Sequence, residues 1–385
     1  MNIAVLLHGG AGGSGVVATE LGLCFARKGH NVHFVADRVP FRLTEMGQPN
    51  VFYHQVERMT YPLFDAPLTT LAEASKLAEL IEEVGIDVIH AHYAVPHATA
   101  AVLARDMVRG KKPVVVTTLH GTDVTLVGLD RAYLRATQYS IENSDLVTAV
   151  SDYLADYTVK EMGVKREIRV IPNAVDLERF TLSKSPELRQ RYAHPDEKLL
   201  IHVSNFRPVK RVEDVIAIFA KVSEQIGARL LMIGDGPERH KASELASELG
   251  VSGRVSFLGS FPRIEKVLSV GDLFLLPSTK ESFGLAALEA MASGVPVVAA
   301  DTGGIPEVVQ DGVSGYICPP KDVEKMAEAA LKLLTNEALH AEFSKAARAR
   351  AENAFSESVV VPLYEGAYRD ALTLTKVKRV PENVS

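Results

Sequence analysis

Polar and apolar positions alternate along this chain on two rhythms, taken in turn. Short continuous apolar runs at residues 3–7, 32–36, 51–56, 88–91, 114–117, 146–150 and 168–171 are strand-like. Between many of them lie amphipathic stretches of helical period, at 16–28, 71–84 and 97–108. Strands that read as unbroken apolar runs are covered on both faces, and their alternation with helices predicts a parallel sheet. The pattern lapses at Pro172-Asn173 and through the polar stretch 183–198, which predicts a connector. It resumes with apolar runs at 199–204, 230–233, 255–258, 273–276 and 297–300, then closes with helix-period segments at 323–334, 339–354 and 356–371. The expectation is an α/β chain of two Rossmann-like, doubly wound parallel-sheet domains facing a cleft. The N-terminal domain spans 1–172 and the C-terminal domain 173–355. A helix over 356–375 packs back on the N-terminal domain, and 376–385 is a tail.

Bulk composition narrows the function. A chain of 385 residues is too long for one comfortable core, and 47% hydrophobic with 23% charged residues is ordinary globular composition. The net charge of −6 argues against a nucleic-acid partner, whose phosphates need a basic face. Cys24 and Cys318 lie far apart with no CxxC spacing, which excludes a ribbon-type zinc site and gives no disulfide framework. A reduced, cytoplasmic compartment is the simplest reading. The first residues run straight into a strand without a signal-like pattern, and no apolar stretch approaches the ~20 residues needed to cross a bilayer, so no membrane partner is expected.

In open parallel sheets, ligands sit beyond the carboxyl ends of the strands, so chemistry is sought just after each apolar run. After the first comes Gly9-Gly10-Ala11-Gly12-Gly13-Ser14-Gly15, opening a helix. Gly10, Gly12 and Gly15 fit G-x-G-x-x-G, and Asp37 follows after about 20 residues, which keeps an NAD-dependent oxidoreductase in view. Physically the loop asks only for an anion at a helix N-terminus. In the second half Asn205-Phe206-Arg207-Pro208-Val209-Lys210-Arg211 sets three cations at a strand-to-helix turn. There Arg207 suits bidentate contact with phosphate and Lys210 or Arg211 acts as a point charge. Gly234-Asp235-Gly236-Pro237 is a further glycine turn, and Glu281 and Glu289 flank a helix start at Gly284, suited to accept hydrogen bonds from sugar or ribose hydroxyls. His90, His92, His97 and His120 invite a metal reading, but no carboxylate or cysteine ligand stands at a known spacing, and the expectation is no metal.

Over essentially its whole length the sequence resembles the GT-B glycosyltransferases of family 4. The most specific element is Glu281-Ser-Phe-Gly-Leu-Ala-Ala-Leu-Glu289-Ala-Met-Ala-Ser-Gly-Val-Pro296, followed by Gly303-Gly304-Ile305-Pro306-Glu307 and Asp311-Gly312. The resemblance implies that Glu281 and the backbone from Phe283 through Gly284 to Leu285 contact the donor sugar and phosphates, and that Glu289 holds the ribose. Where the family turn carries Arg, this chain has Asn205; Lys210 keeps the Lys position, and Arg207 is expected to supply the guanidinium. Gly12, Gly13, Ser14, Gly15 and Gly234 complete the expected donor site. With Pro40-Phe41-Arg42, the run from His90 to His97 and Leu119-His120-Gly-Thr-Asp123, the sequence is similar to one subgroup, which acts in bacillithiol synthesis. That subgroup transfers N-acetylglucosamine from UDP-GlcNAc to L-malate with retention.

By this resemblance the substrates are UDP-GlcNAc and L-malate. His120, Arg207, Lys210 and Glu281 form the catalytic group, and Asp123, three residues after His120, is expected to orient the loop or cap a helix. Ser14, Arg42, Tyr93 and Thr118 are expected to meet the acceptor. No cofactor is needed, because cations and helix dipoles stabilise the leaving diphosphate. Closure about Pro172-Asn173 would exclude water. A sugar phosphate or inositol phosphate acceptor remains an alternative, as does a sugar-binding protein without turnover. The sequence is compatible with a homo-oligomer and fixes neither the oligomeric state nor any feedback regulation.

Overall fold

Runs dense in Val, Ile, Leu and Ala form two sheets, every strand of which pairs in parallel. The structure, a computed structural model, describes residues 1–10, 12–43, 47–57, 68–182, 185–261 and 263–378. Ala11 of the glycine loop, residues 183–184 of the expected connector and 379–385 of the expected tail lie outside the described residues. The chain divides into two units, Met1–Ala174 with the segment from Ser358 onward, and Val175–Glu357.

The first unit holds β1 (Asn2–Leu6), β2 (Asn31–Ala36), β3 (Val51–Gln55), β4 (Val88–His92), β5 (Val114–Leu119), β6 (Leu146–Ala149) and β7 (Ile168–Val170). Their spatial order is β3-β2-β1-β4-β5-β6-β7. Side chains alternate across a strand. Ile3 and Val5 of β1 therefore join one core with Phe25 of helix Gly13–Arg27 and with Val360, Val361, Tyr364 and Tyr368 of helix Glu357–Lys378. Ala4 and Leu6 enter the opposite core with Leu77 of helix Thr69–Val84 and Val102 of helix Thr99–Met107. Each large apolar side chain so buried contributes about 1.5–3 kcal/mol.

The second unit holds β8 (Lys198–Val203), β9 (Ala228–Ile233), β10 (Val255–Gly259), β11 (Leu273–Leu276), β12 (Val297–Ala300) and β13 (Gly315–Cys318), in the order β10-β9-β8-β11-β12-β13. Its core sets Leu200 and Leu230 against Val215 and Phe219 of helix Val212–Ser223.

Two elements depart from the sequence pattern. β13, which pairs with β12 in parallel, was not expected because its apolar run is only the three residues Tyr316-Ile317-Cys318 after Gly315. The segment expected to be helical over 97–108 opens with a kinked turn, Ala94–Ala98, in which Val95 is extended, before helix Thr99–Met107 begins. No helix among the described residues is long and apolar enough to cross a membrane.

Candidate active site

In the first sheet the strand order reverses between β1 and β4, and the loops leaving those strands flank the crevice where such sheets bind ligands. The loop after β1 needs its glycines for two reasons. At Gly15 a Cβ would lie 2.4 Å from the His8 carbonyl oxygen, so any side chain there displaces backbone. At Gly10 and Gly12 a Cβ would meet nothing within 4 Å, and the missing side chains leave open space before the helix. Gly12 caps helix Gly13–Arg27 without a side-chain acceptor, so first-turn N–H groups stay available to an anion. Ser14 lies in that turn, and its hydroxyl donates to the Tyr93 phenol oxygen at 2.9 Å. Tyr93 leaves β4 with a left-handed φ of 104°, the kind of backbone strain that collects at ligand sites.

Behind this loop lies a group of histidines set by strand register. His92 on β4 pairs with Thr118 on β5, so His92 and His120, two positions beyond Thr118, come to the same face. His92 Nδ1 lies 2.9 Å from His120 Nε2. Burial lowers the pKa of both, that of His120 to about 3, with the charge of His97 a lesser cause for it, so His120 is neutral at pH 7. His90, fully buried, meets the Tyr368 phenol at 2.7 Å through Nδ1 and the Thr118 hydroxyl at 2.7 Å through Nε2. His97 Nδ1 lies 3.2 Å from Glu73 Oε2, and the ring of His8 packs edge-on against His97 at 4.4 Å. The Asp123 carboxylate accepts from the backbone N–H groups of Ala94, Gly121 and His120 at 3.0, 2.8 and 3.2 Å. Desolvation outweighs those donors and raises its pKa to about 6.

In the second sheet the order reverses between β8 and β11. The loop after β8 carries the cation turn, ending in a short 3-10 turn, Pro208–Lys210, and in Arg211 with a left-handed φ of 53°. The Lys210 ammonium donates to Glu281 Oε2 at 2.5 Å, linking the loops that leave the two central strands. Two backbone bonds hold the same arrangement: Thr279 N–H to Val209 O at 2.9 Å, and Gly304 N–H to Glu281 O at 2.9 Å. Beside them the loop after β9 presses onto the cation turn. A Cβ on Gly234 would lie 1.8 Å from Ser204 O, and one on Gly236 2.1 Å from Asn205 O. Gly284 caps helix Leu285–Ala292 in the left-handed region. Phe283 is buried edge-on against Phe355 at 5.7 Å.

The structure thus gathers Ser14, Tyr93 and His120 with the glycine loop in one unit. In the other it gathers Lys210 and Glu281 at the head of helix Leu285–Ala292, with Asn205 against Gly236. Arg207 is exposed; its carbonyl accepts from the Lys210 N–H at 2.8 Å, while its side chain makes no hydrogen bond or ion pair among the described residues. Arg211 is engaged instead by Asp214, at 2.6 and 2.8 Å, so Lys210 is the point charge of the turn. Arg42 is buried and pairs with Glu20 at 3.4 Å. Thr118 is fully buried, and its hydroxyl is shared between His90 and Thr148, where it braces the histidines. Glu289 is buried one turn into the helix that begins at Leu285. Asp123 orients the loop as expected. Glu73 and His8 were not expected; Glu73 lies in no motif and His8 only precedes the glycine loop, and the fold brings both to His97. Among the described residues no group of three or more His, Cys, Asp or Glu side chains forms a metal-holding cluster.

Two family models cover most of the chain: "Glycosyltransferase Family 4" matches residues 11–179 and "Glycosyl transferases group 1" residues 184–350. The chain is 42% identical, over 97% of both proteins, to the N-acetyl-alpha-D-glucosaminyl L-malate synthase of Bacillus anthracis. It is 31% identical to the D-inositol 3-phosphate glycosyltransferase of Mycobacterium marinum, covering 94% of this chain and 82% of that protein. Among solved structures, sucrose-phosphate synthase from Thermosynechococcus elongatus superposes with a TM-score of 0.79 at 23% identity, over 97% of this chain and 100% of the other. Anabaena HepE in complex with UDP and glucose gives 0.79 at 22%, over 96% and 100%. None of these supports the oxidoreductase reading of the glycine pattern, and Asp37 is paired with Arg38 at 3.0 Å. The chain belongs to glycosyltransferase family 4 and has the GT-B fold.

Proposed function

We propose that the chain transfers N-acetylglucosamine from UDP-GlcNAc to the hydroxyl of L-malate, with retention at the anomeric carbon. The observation that carries this reading is the 42% identity over 97% of the chain to the Bacillus anthracis synthase. In the reaction the bond from the sugar C1 to the β-phosphate oxygen breaks and a bond from C1 to the malate hydroxyl oxygen forms. The malate proton passes to the departing diphosphate on the same face. Negative charge grows on that diphosphate, and fixed cations and N–H dipoles lower the barrier. Lys210, Arg207 and the backbone at Gly284 fit this task, so transfer runs without a metal ion. Glu281, which pairs with Lys210, together with Asn205 and Gly234 suits the donor sugar and nucleotide, and Glu289 the ribose. Ser14, Tyr93 and the N–H groups at Gly12 and Gly13 suit an anionic acceptor, with Arg42 as the cation for one carboxylate. His120, neutral at pH 7, binds rather than titrates.

The test is UDP release from UDP-GlcNAc with and without L-malate, in the presence of a chelator. Release that depends on malate and survives chelation is the expected result. Release that ignores malate but responds to inositol phosphate would move the acceptor toward that of the mycobacterial relative, and loss on chelation would overturn the metal-free mechanism.

A further inference from the structure

Among the described residues the side chain of His120 hydrogen-bonds to one group only, His92, through the contact between His120 Nε2 and His92 Nδ1 at 2.9 Å. The His120 ring is partly exposed, and its Nδ1 takes part in no hydrogen bond within the described residues. Both imidazoles are neutral at pH 7, so each carries a single N–H and one of the two nitrogens in contact must donate to the other. The far nitrogen of His92 decides which. His92 Nε2 is closed off from solvent and has no hydrogen-bond partner among the described residues. If His92 accepted at Nδ1, its only proton would sit on Nε2 as a buried N–H without an acceptor. If His92 donates from Nδ1, Nε2 keeps only a lone pair. An orphaned buried N–H is the rarer and costlier defect.

We propose that His92 is a positioning residue that holds His120 in its Nδ1–H tautomer, so that His120 meets its ligand as a hydrogen-bond donor. The ligand atom opposite must then be an acceptor, such as a hydroxyl, carboxylate or phosphate oxygen of a substrate, and His120 does not serve as a base. The surroundings are built to keep this contact. The ring of His90 packs against His92 with centroids 4.1 Å apart, and His90 is itself tied to Tyr368 and Thr118. Asp123 fixes the His120 backbone N–H. The identity of the ligand rests on the glycosyl-transfer reading, whereas the tautomer does not.

The experiment uses the full chain labelled with 15N-histidine and a long-range 15N–1H correlation spectrum recorded without substrate. His120→Gln and His92→Phe spectra assign the signals. The expected result is an Nδ1–H signal for both His92 and His120; an Nε2–H form of His120 overturns the proposal. In the UDP-release assay His92→Phe should lower kcat/KM by about tenfold, the worth of one hydrogen bond, and leave His120 in both tautomers. His92→Asn, whose amide donates from the place of Nδ1, should restore activity to within about threefold of the parent. A folded His92→Phe protein with parental kcat/KM, or an Asn variant no better than Phe, counts against the proposal. Should the Phe variant not fold, the substrate-free spectrum and the Asn variant still decide it.

Discussion

At the residue scale, the Lys210–Glu281 pair is a charge contact between two partly exposed side chains, and such pairs contribute little to stability. Its weight lies in chemistry. Lys210→Ala should lower kcat by about 100-fold, the scale of one preorganised donor to a developing anion, while the melting temperature moves little. Steady-state UDP release and calorimetry together check this, and an unchanged kcat would remove Lys210 from the leaving group. The buried histidines make a second prediction, in acid. His90 and His202 are fully buried, and desolvation is the main cause that lowers their pKa values to about 3 and about 4 from 6.5. A lowered folded pKa means the unfolded chain takes up protons first, so stability present above about pH 6.5 is lost as the pH falls toward the folded values, at about 1.4 kcal/mol per pH unit for each group. His92 and His120 shift in the same direction. Asp123 opposes them, because its folded pKa is raised to about 6 from 3.8 and the folded chain takes up that proton first. The lowered histidines, which also include His33, His54 and His30, outnumber it, so the melting temperature should drop steadily between about pH 6 and pH 4.5; a flat or rising profile would contradict the buried, neutral histidines. Lys210 and Glu281 were legible in the sequence because charge directly after an apolar run has few structural uses. The His92–His120 contact was not, since it depends on which residue of β5 lies beside His92.

At the element scale, the glycines after strands fall into two kinds that a sequence motif cannot separate. Gly15 and Gly234 exclude a Cβ because backbone oxygens stand 2.4 and 1.8 Å from its place. Gly10 and Gly12 exclude nothing of the protein's own. Gly234→Ala, which also forces alanine into a φ of 121°, should destabilise by about 3 kcal/mol or more, and Gly15→Ala should also lower the melting temperature. Gly12→Ala should leave it unchanged and raise the donor or acceptor KM, because the added methyl enters only the space before the helix. Thermal melts paired with KM measurements separate the cases; a Gly12→Ala protein that melts early would make that glycine structural. The strand-and-helix alternation itself was legible almost throughout, because strands buried on both faces must be apolar at every position. It failed at β13, half-covered and only Gly315–Cys318 in extent, and at the kinked turn Ala94–Ala98, whose residues carry no distinct period.

At the scale of the whole molecule, the first unit is discontinuous in sequence. Its sheet is covered in part by helix Glu357–Lys378, which the chain reaches only after completing Val175–Glu357. The helical period of this segment is legible, whereas its burial inside the first core rests on Tyr364 and Tyr368, residues that would suit a surface equally well. Tyr368→Phe leaves His90 Nδ1 buried without its 2.7 Å partner, which should cost about 1–3 kcal/mol and lower the melting temperature by several degrees. A substitution with no thermal effect would show that the helix docks through its apolar side chains alone. The contact between Tyr368 and His90 closes a sequence separation of 278 residues. During synthesis at about 5–20 residues per second, roughly 10–40 s pass between the appearance of Ala174 and that of Tyr368. Through that interval Ile3, Val5 and Phe25 lack part of their cover, however well the second unit has already folded. A ribosome that stalls within the second unit therefore holds out an unfinished hydrophobic surface, which only the final long helix can cover.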